Sequence, residues 1–179
     1  MSLYDKTVAY VDSAFKGKGK RHFERAVYWV EKFYPNCTEA HKIAAYSHDI
    51  ERAIRGENDR RYLDADILKK HQEVGAEIMS TFLTEQGADA ATIATVAHLI
   101  SHHEVGGDAE QNALKDADSV SYFETNAEMF VRERAAEDGY EKVKEKLDWM
   151  YDRITSPQAK EAAKANYEKW RGELDKTLS

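Results

Sequence analysis

The chain has 179 residues, of which 42% are hydrophobic and 33% charged, enough for one globular domain with a buried core. Its formal charge of −7 at pH 7 argues against non-specific nucleic-acid binding and against an anionic membrane surface as a partner. One cysteine excludes a disulfide within the chain, and no apolar run has the length of a membrane span, so we expect a cytoplasmic protein.

Hydrophobic residues recur at helical spacing along most of the chain, and only two prolines interrupt it. The predicted helices cover residues 3–15, 22–34, 36–55, 66–83, 93–104, 114–123, 137–154 and 156–178. Asn36 and Glu39 have capping-box spacing, and Ser156 followed by Pro157 is a helix start. Sustained alternation and Asn-Gly hairpins are missing, which argues against strands. We therefore predict an all-α bundle of about seven or eight helices, forming a single domain over residues 1–179.

Two loops and one glycine stand out in this pattern. The basic stretch KGKGKR (residues 16–21) is either a solvated linker or an anion-binding loop, since His22 follows it directly. The polar stretch at residues 56–61 is the expected mobile lid. Gly75 lies within the apolar stripe of a predicted helix, where glycine costs about 1 kcal/mol relative to alanine. We therefore expect another element to pack closely there, one turn from His71.

The apolar helical run at residues 44–51 contains His48 and Asp49 side by side, two side-chain types that bind hard or borderline metal ions. Adjacent helical positions point about 100° apart, so these two can share an ion only where the helix faces a pocket. Further side chains of the same types lie on other predicted helices. They are His22, His71, His98, His102, His103 and Asp118. The sequence thus indicates a metal site where several helices meet.

Three segments resemble motifs of the HD superfamily of metal-dependent phosphohydrolases. They are HFERAV (residues 22–27), AAYSHDIE (residues 44–51) and LKDADSV (residues 114–120). The resemblance covers about residues 22–123, and such motifs are hypotheses until their structural context is known. It implies a motif-bearing core over about residues 20–125. The C-terminal helices, about residues 137–178, would pack beside this core as an appendage or an oligomer interface.

The resemblance implies that His22, His48, Asp49 and Asp118 hold a divalent metal ion. Asp116 is the alternative to Asp118 if their helix is rotated. Such a mixed set of imidazoles and carboxylates suits Mn²⁺, Fe²⁺, Co²⁺, Ni²⁺, Zn²⁺ or Mg²⁺. The ion's remaining positions would take water and a substrate phosphate oxygen, and the ion would lower the pKa of that water.

Two segments between these residues, KHQEVGAEI (residues 70–78) and LISHHE (residues 99–104), resemble further histidine motifs of the superfamily. In its binuclear branch such histidines hold a second metal, which would lie here at His71, His102 and His103. In single-metal members they contact the substrate phosphate or protonate a leaving oxygen. The glycine-tyrosine-proline signature of cyclic-dinucleotide phosphodiesterases is absent after Glu104. We favour one tightly held ion, with His71 and either His102 or His103 facing the substrate.

Other charged residues are assigned roles at the same site. Glu51 is the candidate to accept a proton from the attacking water, and Arg25, Arg52 and Lys20 are the candidates to bind the substrate phosphate. The expected function is hydrolysis of a phosphoester in a nucleotide or small phosphorylated metabolite.

Several alternatives to this function stay open. They are a binuclear phosphodiesterase, a di-iron oxygenase of the same superfamily, a non-catalytic nucleotide-sensing module, and a purely structural role for the histidines. No membrane partner is expected, and the chain could form a homodimer.

Overall fold

The computed structural model describes residues 1–55 and 63–178, and the predicted lid at residues 56–61 lies outside them. In chain order the helices are α1 (Leu3–Ala14), α2 (Lys20–Phe33), α3 (Glu39–Ser47), α4 (Ile50–Arg55), α5 (Ala65–Glu85), α6 (Ala90–Ile100), α7 (Ala109–Thr125), α8 (Ala127–Met129), α9 (Ala135–Asp138), α10 (Tyr140–Asp152) and α11 (Pro157–Asp175). A π-helical turn, Phe130–Arg134, joins α8 to α9, and a 3-10 turn, Lys176–Leu178, follows α11.

The prediction of an all-α bundle is confirmed. In the described part of the chain there is no strand, and nine helices have six residues or more, close to the predicted seven or eight. Ser156 caps α11 as predicted, since its Oγ accepts a hydrogen bond from the Ala159 amide at 3.1 Å, with Pro157 in the first helical position. None of the described helices has both the length and the apolar character needed to cross a membrane.

The helix predicted over residues 36–55 is wrong in two respects. It is divided into α3 and α4, because the chain makes a turn at His48 and Asp49 that continuous apolar spacing does not reveal. Its cap is Thr38, whose amide donates to Nδ1 of His41 at 3.2 Å. Glu39, predicted as part of the cap, instead accepts a hydrogen bond from the Tyr4 amide at the start of α1.

Helix α7 lies at the centre of the fold, and every residue from 113 to 123 is buried. One side of it packs against α2, α3 and α6 in a first apolar core that includes Leu114 and Ala117. Its other side packs against α10 and α11 in a second core that includes Val120 and Phe123. A polar side chain at residues 113–123 is therefore enclosed, and it must find partners within the helix or from the neighbouring elements.

Close packing at Gly75 is confirmed. A Cβ atom added there would lie 3.3 Å from Cγ2 of Ile100 and 3.6 Å from the carbonyl oxygen of His48. The absence of a side chain thus lets α5 approach both α6 and the turn between α3 and α4. This approach brings His71, one turn earlier on α5, towards His48 and its neighbours.

Candidate metal centre

Side chains from α2, from the turn between α3 and α4, and from α7 converge at one place. His22 on α2 and His48 in the α3–α4 turn place their Nε2 atoms 3.3 Å apart. Oδ1 of Asp118, on α7, lies 3.2 Å from Nε2 of His22 and 3.3 Å from Nε2 of His48. Oδ2 of Asp49 lies 3.9 Å from Nε2 of His48. The structure thus brings together all four residues that the sequence analysis assigned to one ion.

The second nitrogen of each histidine ring is held by a neighbouring group. Nδ1 of His48 donates to the carbonyl oxygen of Ala45 at 2.9 Å, and Nδ1 of His22 lies 3.0 Å from Oγ of Ser121. The donation to Ala45 selects the His48 tautomer in which Nε2 carries the free lone pair. Such fixing of the remote nitrogen is typical of histidines that bind metals.

Charge around His48 favours its protonated form when no metal ion is bound. Burial opposes protonation, but the carboxylates of Asp118 and Asp49 outweigh it and raise the pKa of His48 to about 9. Burial likewise opposes ionisation of Asp118, yet Arg153 and His48 hold the pKa of that carboxyl well below its usual range. A cation at the meeting point of these groups would replace the proton on His48.

A second group of buried side chains adjoins the first and shares Asp49 with it. One ligand atom from each of Asp49, His71, His103 and Glu104 lies within 4.8 Å of the other three. Nε2 of His71 is 3.1 Å from Oδ1 of Asp49, and Nε2 of His103 is 3.8 Å from Oε1 of Glu104. The groups that could hold a metal ion are His22 with His48 and Asp49, and Asp49 with His71, His103 and Glu104; Asp118 lies beside the two histidines of the first group.

His103 supplies a direct test of whether a metal ion fits this second group. Its Nδ1 donates to the carbonyl oxygen of Ile100 at 2.8 Å, and its Nε2 is buried without a hydrogen-bond partner in the described residues. Burial lowers the pKa of His103 to about 3, so the ring is neutral. A buried lone pair without a donor costs free energy, and a divalent cation would satisfy it. The ligand set therefore fits a metal ion.

Glu51, the predicted acceptor of a proton from the attacking water, directs its carboxylate at His71 and Arg55. Its side chain is buried, with Oε2 2.9 Å from Nδ1 of His71 and Oε1 2.8 Å from Nε of Arg55. Because both carboxylate oxygens are already engaged, Glu51 acts on His71, whose ring it orients towards Asp49. The direction of Nε2 of His71 thus depends on Glu51.

His102 does not join the cluster, in contrast to the predicted alternative in which it faces the substrate in place of His103. Its side chain is exposed, and its Nδ1 lies 2.9 Å from Oγ of Ser101. His98, one turn earlier, lies 2.7 Å from Oδ2 of Asp108, which caps α7. Of the two adjacent histidines, the chain turn after α6 directs only His103 inward.

Two of the three predicted phosphate-binding cations form ion pairs with carboxylates outside the metal centre. Arg25 forms a bidentate pair with Glu124 at 2.6 and 2.9 Å, joining α2 to α7. Lys20 pairs with Asp12 at 3.0 Å on the surface. Arg52 is different, because its side chain is 44% exposed and contacts Asp49 of the cluster at 2.7 Å. Arg52 is thus the predicted cation that the structure places at the centre.

Asp116 and Asp118, the two alternatives for the metal ligand on α7, have different partners. Asp118 lies beside His22 and His48, whereas Asp116 does not. The two oxygens of Asp116 accept hydrogen bonds from the amides of Thr155 and Ser156, each at 2.8 Å. Asp116 therefore fixes the start of α11, on the face of α7 that points away from His22.

The basic loop at residues 16–21 lines a cavity of about 580 Å³ together with His22, Glu24, Thr125 and Asn126. Gly17 and Gly19 adopt left-handed backbone conformations there, which glycine permits at low cost. The cavity lies at the Nδ1 side of His22, since Thr125 Oγ1 is 3.4 Å from that nitrogen.

Three charged residues of the centre were missed by the sequence analysis. Arg153, between α10 and α11, binds Oε2 of Glu104 and Oδ2 of Asp118, and its Nε donates to Oγ of Ser119 at 2.8 Å. Lys146 on α10 is also buried beside them. Burial opposes ionisation of Glu104, but Arg153, His103, Lys146 and Arg52 together lower its pKa to about 2. The C-terminal helices thus contribute charge to the centre.

Comparison with known proteins gives a family without an assigned activity. The family model described as a domain of unknown function, DUF4202, matches residues 7–169. This match covers most of the chain, so the protein belongs to the DUF4202 family. No curated protein and no solved structure matches it.

Proposed function

We propose that the protein is a metal-dependent phosphohydrolase, similar to the HD superfamily, that acts on a nucleotide or small phosphorylated metabolite. The observation that carries the proposal is the meeting of Nε2 of His22, Nε2 of His48 and Oδ1 of Asp118 within 3.3 Å of one another. Together with Asp49 they form the set that would hold the ion. When bound, a divalent ion supplies charge neutralisation at phosphate oxygens and lowers the pKa of water.

The remaining side chains would prepare the substrate and its leaving group. Arg52 is held by Asp49 through Nε and is 44% exposed, so its free edge is placed to orient a phosphate group. His71 presents Nε2 beside Asp49 while Glu51 holds its Nδ1. Burial and Arg52 oppose protonation of His71, but Asp49 and Glu51 raise its pKa above the usual value. A protonated His71 is suited to donate to a leaving oxygen.

A two-ion version of the same hydrolase is the second candidate. It is favoured by the buried Nε2 of His103, which lacks a partner in the described residues, and by Asp49, which belongs to both groups. Here His71, His103 and Glu104 would hold the second ion, and His71 would no longer be free to carry a proton. Metal stoichiometry separates the versions: one tight ion per chain supports the first, and two support the second.

The test is a phosphate-release screen over nucleotides and sugar phosphates with the purified chain, in air and under nitrogen. We expect release that requires a divalent metal and is independent of oxygen, whereas oxygen-dependent turnover with iron would indicate an oxygenase. The variant Asp49→Ala should lose metal and turnover with its helical circular dichroism kept. Asp66→Ala, an exposed substitution on α5, is the matched control. An active, metal-replete Asp49→Ala protein would contradict the proposal.

A further inference from the structure

Two residues of α7 contact opposite nitrogens of the His22 ring. Oδ1 of Asp118 lies 3.2 Å from Nε2, and Oγ of Ser121, one turn later on the same helix, lies 3.0 Å from Nδ1. His22 and Ser121 are 3% and 0% exposed, so bulk water does not compete for either contact. The orientation of the ring is therefore set by α7 as well as by α2, which carries it.

The hydrogen of the Ser121 hydroxyl is already used within α7. Oγ donates to the carbonyl oxygen of Asp118 at 2.9 Å. A serine hydroxyl has one hydrogen and two acceptor lone pairs, so while this bond is kept Ser121 can only accept from His22. The donor between them is then the Nδ1–H group of His22. This arrangement puts the ring proton on Nδ1 and leaves the lone pair of Nε2 directed at Asp118 and His48.

Thr125 repeats this arrangement one turn further along α7. Its Oγ1 donates to the carbonyl oxygen of Ser121 at 2.6 Å and lies 3.4 Å from Nδ1 of His22, so it is a second, longer acceptor for the same N–H group. Ser119 divides its hydroxyl in the same way, since it donates to a carbonyl oxygen of α7 and accepts from Nε of Arg153 at 2.8 Å. Hydroxyl groups on α7 thus serve as acceptors for buried donors of the centre.

The position of the proton on His22 decides whether the ring can bind a cation. A neutral imidazole binds a metal ion through the nitrogen that carries no hydrogen. Asp118 and Ser121 compete for the one ring hydrogen, because the carboxylate of Asp118 accepts it at Nε2 and Ser121 accepts it at Nδ1. Without the Ser121 oxygen, a buried Nδ1–H group would lose its nearest acceptor, which is costly. The ring would then favour the tautomer with Nε2–H, which blocks the ion.

We propose that Ser121, supported by Thr125, is a positioning residue that keeps the proton of His22 on Nδ1 and so presents Nε2 to a metal ion. This inference rests on the metal centre of the proposed function and assigns the choice of the His22 tautomer to two hydroxyl groups of α7. His48 does not depend on them, because its Nδ1 donates to the backbone carbonyl oxygen of Ala45. The two histidines should therefore respond differently when a hydroxyl group is removed.

The first measurement is a zinc titration of the full chain in competition with a chromophoric chelator. Ser121→Ala should weaken zinc binding by about tenfold, and the double variant Ser121→Ala/Thr125→Val by up to about 100-fold, since the double variant removes both acceptors. Alanine is the best helix former, so Ser121→Ala should fold. Ser80→Ala is the matched control, because Ser80 Oγ donates to the carbonyl oxygen of Ala76 at 2.8 Å within α5. It should bind zinc as the unmodified chain does.

The second measurement is nitrogen-15 NMR of the zinc-loaded chain with labelled histidine, in which His22→Gln assigns the His22 signals. In the unmodified chain we expect zinc on Nε2 of His22 and a hydrogen on Nδ1 that exchanges slowly with water. In the double variant this hydrogen should exchange faster, while the Nδ1 hydrogen of His48 is unchanged. A general loss of packing would affect both rings, so the contrast separates positioning from a structural effect.

Three results would overturn the inference: no uptake of zinc, zinc bound through Nδ1 of His22, or a folded double variant with the zinc affinity and His22 exchange of the unmodified chain. If circular dichroism shows that Ser121→Ala does not fold, Ser121→Cys takes its place, because a thiol has a similar size and is a weak acceptor. A chain that binds zinc through a Ser121-dependent His22 but releases no phosphate would keep the inference and refute the hydrolase.

Discussion

Replacement of Arg153 by methionine tests how much folding stability the ion pairs between the C-terminal helices and the centre contribute. The side chains of Arg153, Glu104 and Asp118 are 6%, 3% and 9% exposed, so solvent screens their pairing only weakly. Methionine keeps much of the packing volume beside Trp149 and removes the charge. Breaking a buried ion pair by removing one partner costs about 3–5 kcal/mol, since the other charge stays buried and unpaired.

This cost should appear directly in thermal unfolding. For a chain of this size each kcal/mol shifts the melting temperature by about 2–4 °C, so Arg153→Met should melt roughly 6–20 °C lower at pH 7 in EDTA. Arg132→Met is the matched control, because Arg132 and its partner Glu128 are 66% and 56% exposed and such pairs contribute about 0–1 kcal/mol. Differential scanning calorimetry or circular dichroism of both variants measures the difference.

The pH dependence of this loss has a definite sign. Arg153 lowers the pKa of both carboxyls, so its stabilisation is present above their usual pKa and is lost as pH falls towards about 2, the pKa of Glu104. The two melting curves should therefore converge as the solution is acidified below pH 4. An Arg153→Met protein that melts with the Arg132→Met control at pH 7 would refute the reasoning.

Three further predictions concern individual side chains of the centre. Glu51→Gln should lower turnover by about 10–100-fold in the phosphate-release assay, because Glu51 orients His71; unchanged turnover would show that the ring needs no such support. Asp116→Asn should lower stability to chemical denaturation by about 1–3 kcal/mol, because Asp116 accepts two backbone hydrogen bonds, and leave metal content intact. Asp118→Asn should lose the metal. An Asp116→Asn protein without metal and an Asp118→Asn protein that keeps it would show that Asp116 is the ligand. Finally, the pKa of His48 is raised to about 9. Metal binding must displace its proton, so apparent affinity should rise about tenfold per pH unit up to that value, and an affinity independent of pH from 7 to 9 would contradict the protonated ring.

The helical fold and its long elements were predictable because burial repeats every three or four residues along each helix. The prediction failed where the backbone changes direction at residues that are neither glycine nor proline. Between Ser47 and Ile50 the apolar pattern continues through a turn, so periodicity alone gives one helix in place of two. At residues 102 and 103 two histidines are adjacent, and which one faces inward depends on the path of the chain after α6.

The site was predictable to the extent that its residues lie in short motifs, and Arg153 lies in none. It reaches Asp118 across 35 positions of sequence, and a lone arginine between two charged helices has the appearance of an ordinary surface residue. Glu104 was overlooked for a similar reason, since its carboxylate is held by Arg52 and Arg153, which lie 52 and 49 positions away in the sequence. Contacts of this kind are set by helix packing, which a single sequence does not specify.

Metal uptake is the measurement that bears most directly on the central claim that His22, His48, Asp49 and Asp118 share one ion. The chain should be stripped with chelator, dialysed against each divalent ion in turn, and analysed by plasma mass spectrometry alongside His48→Ala. We predict at least one tightly held ion per chain, with His48→Ala folded and metal-free. A folded chain that takes up no ion, or a His48→Ala protein that holds as much as the unmodified chain, would contradict the account.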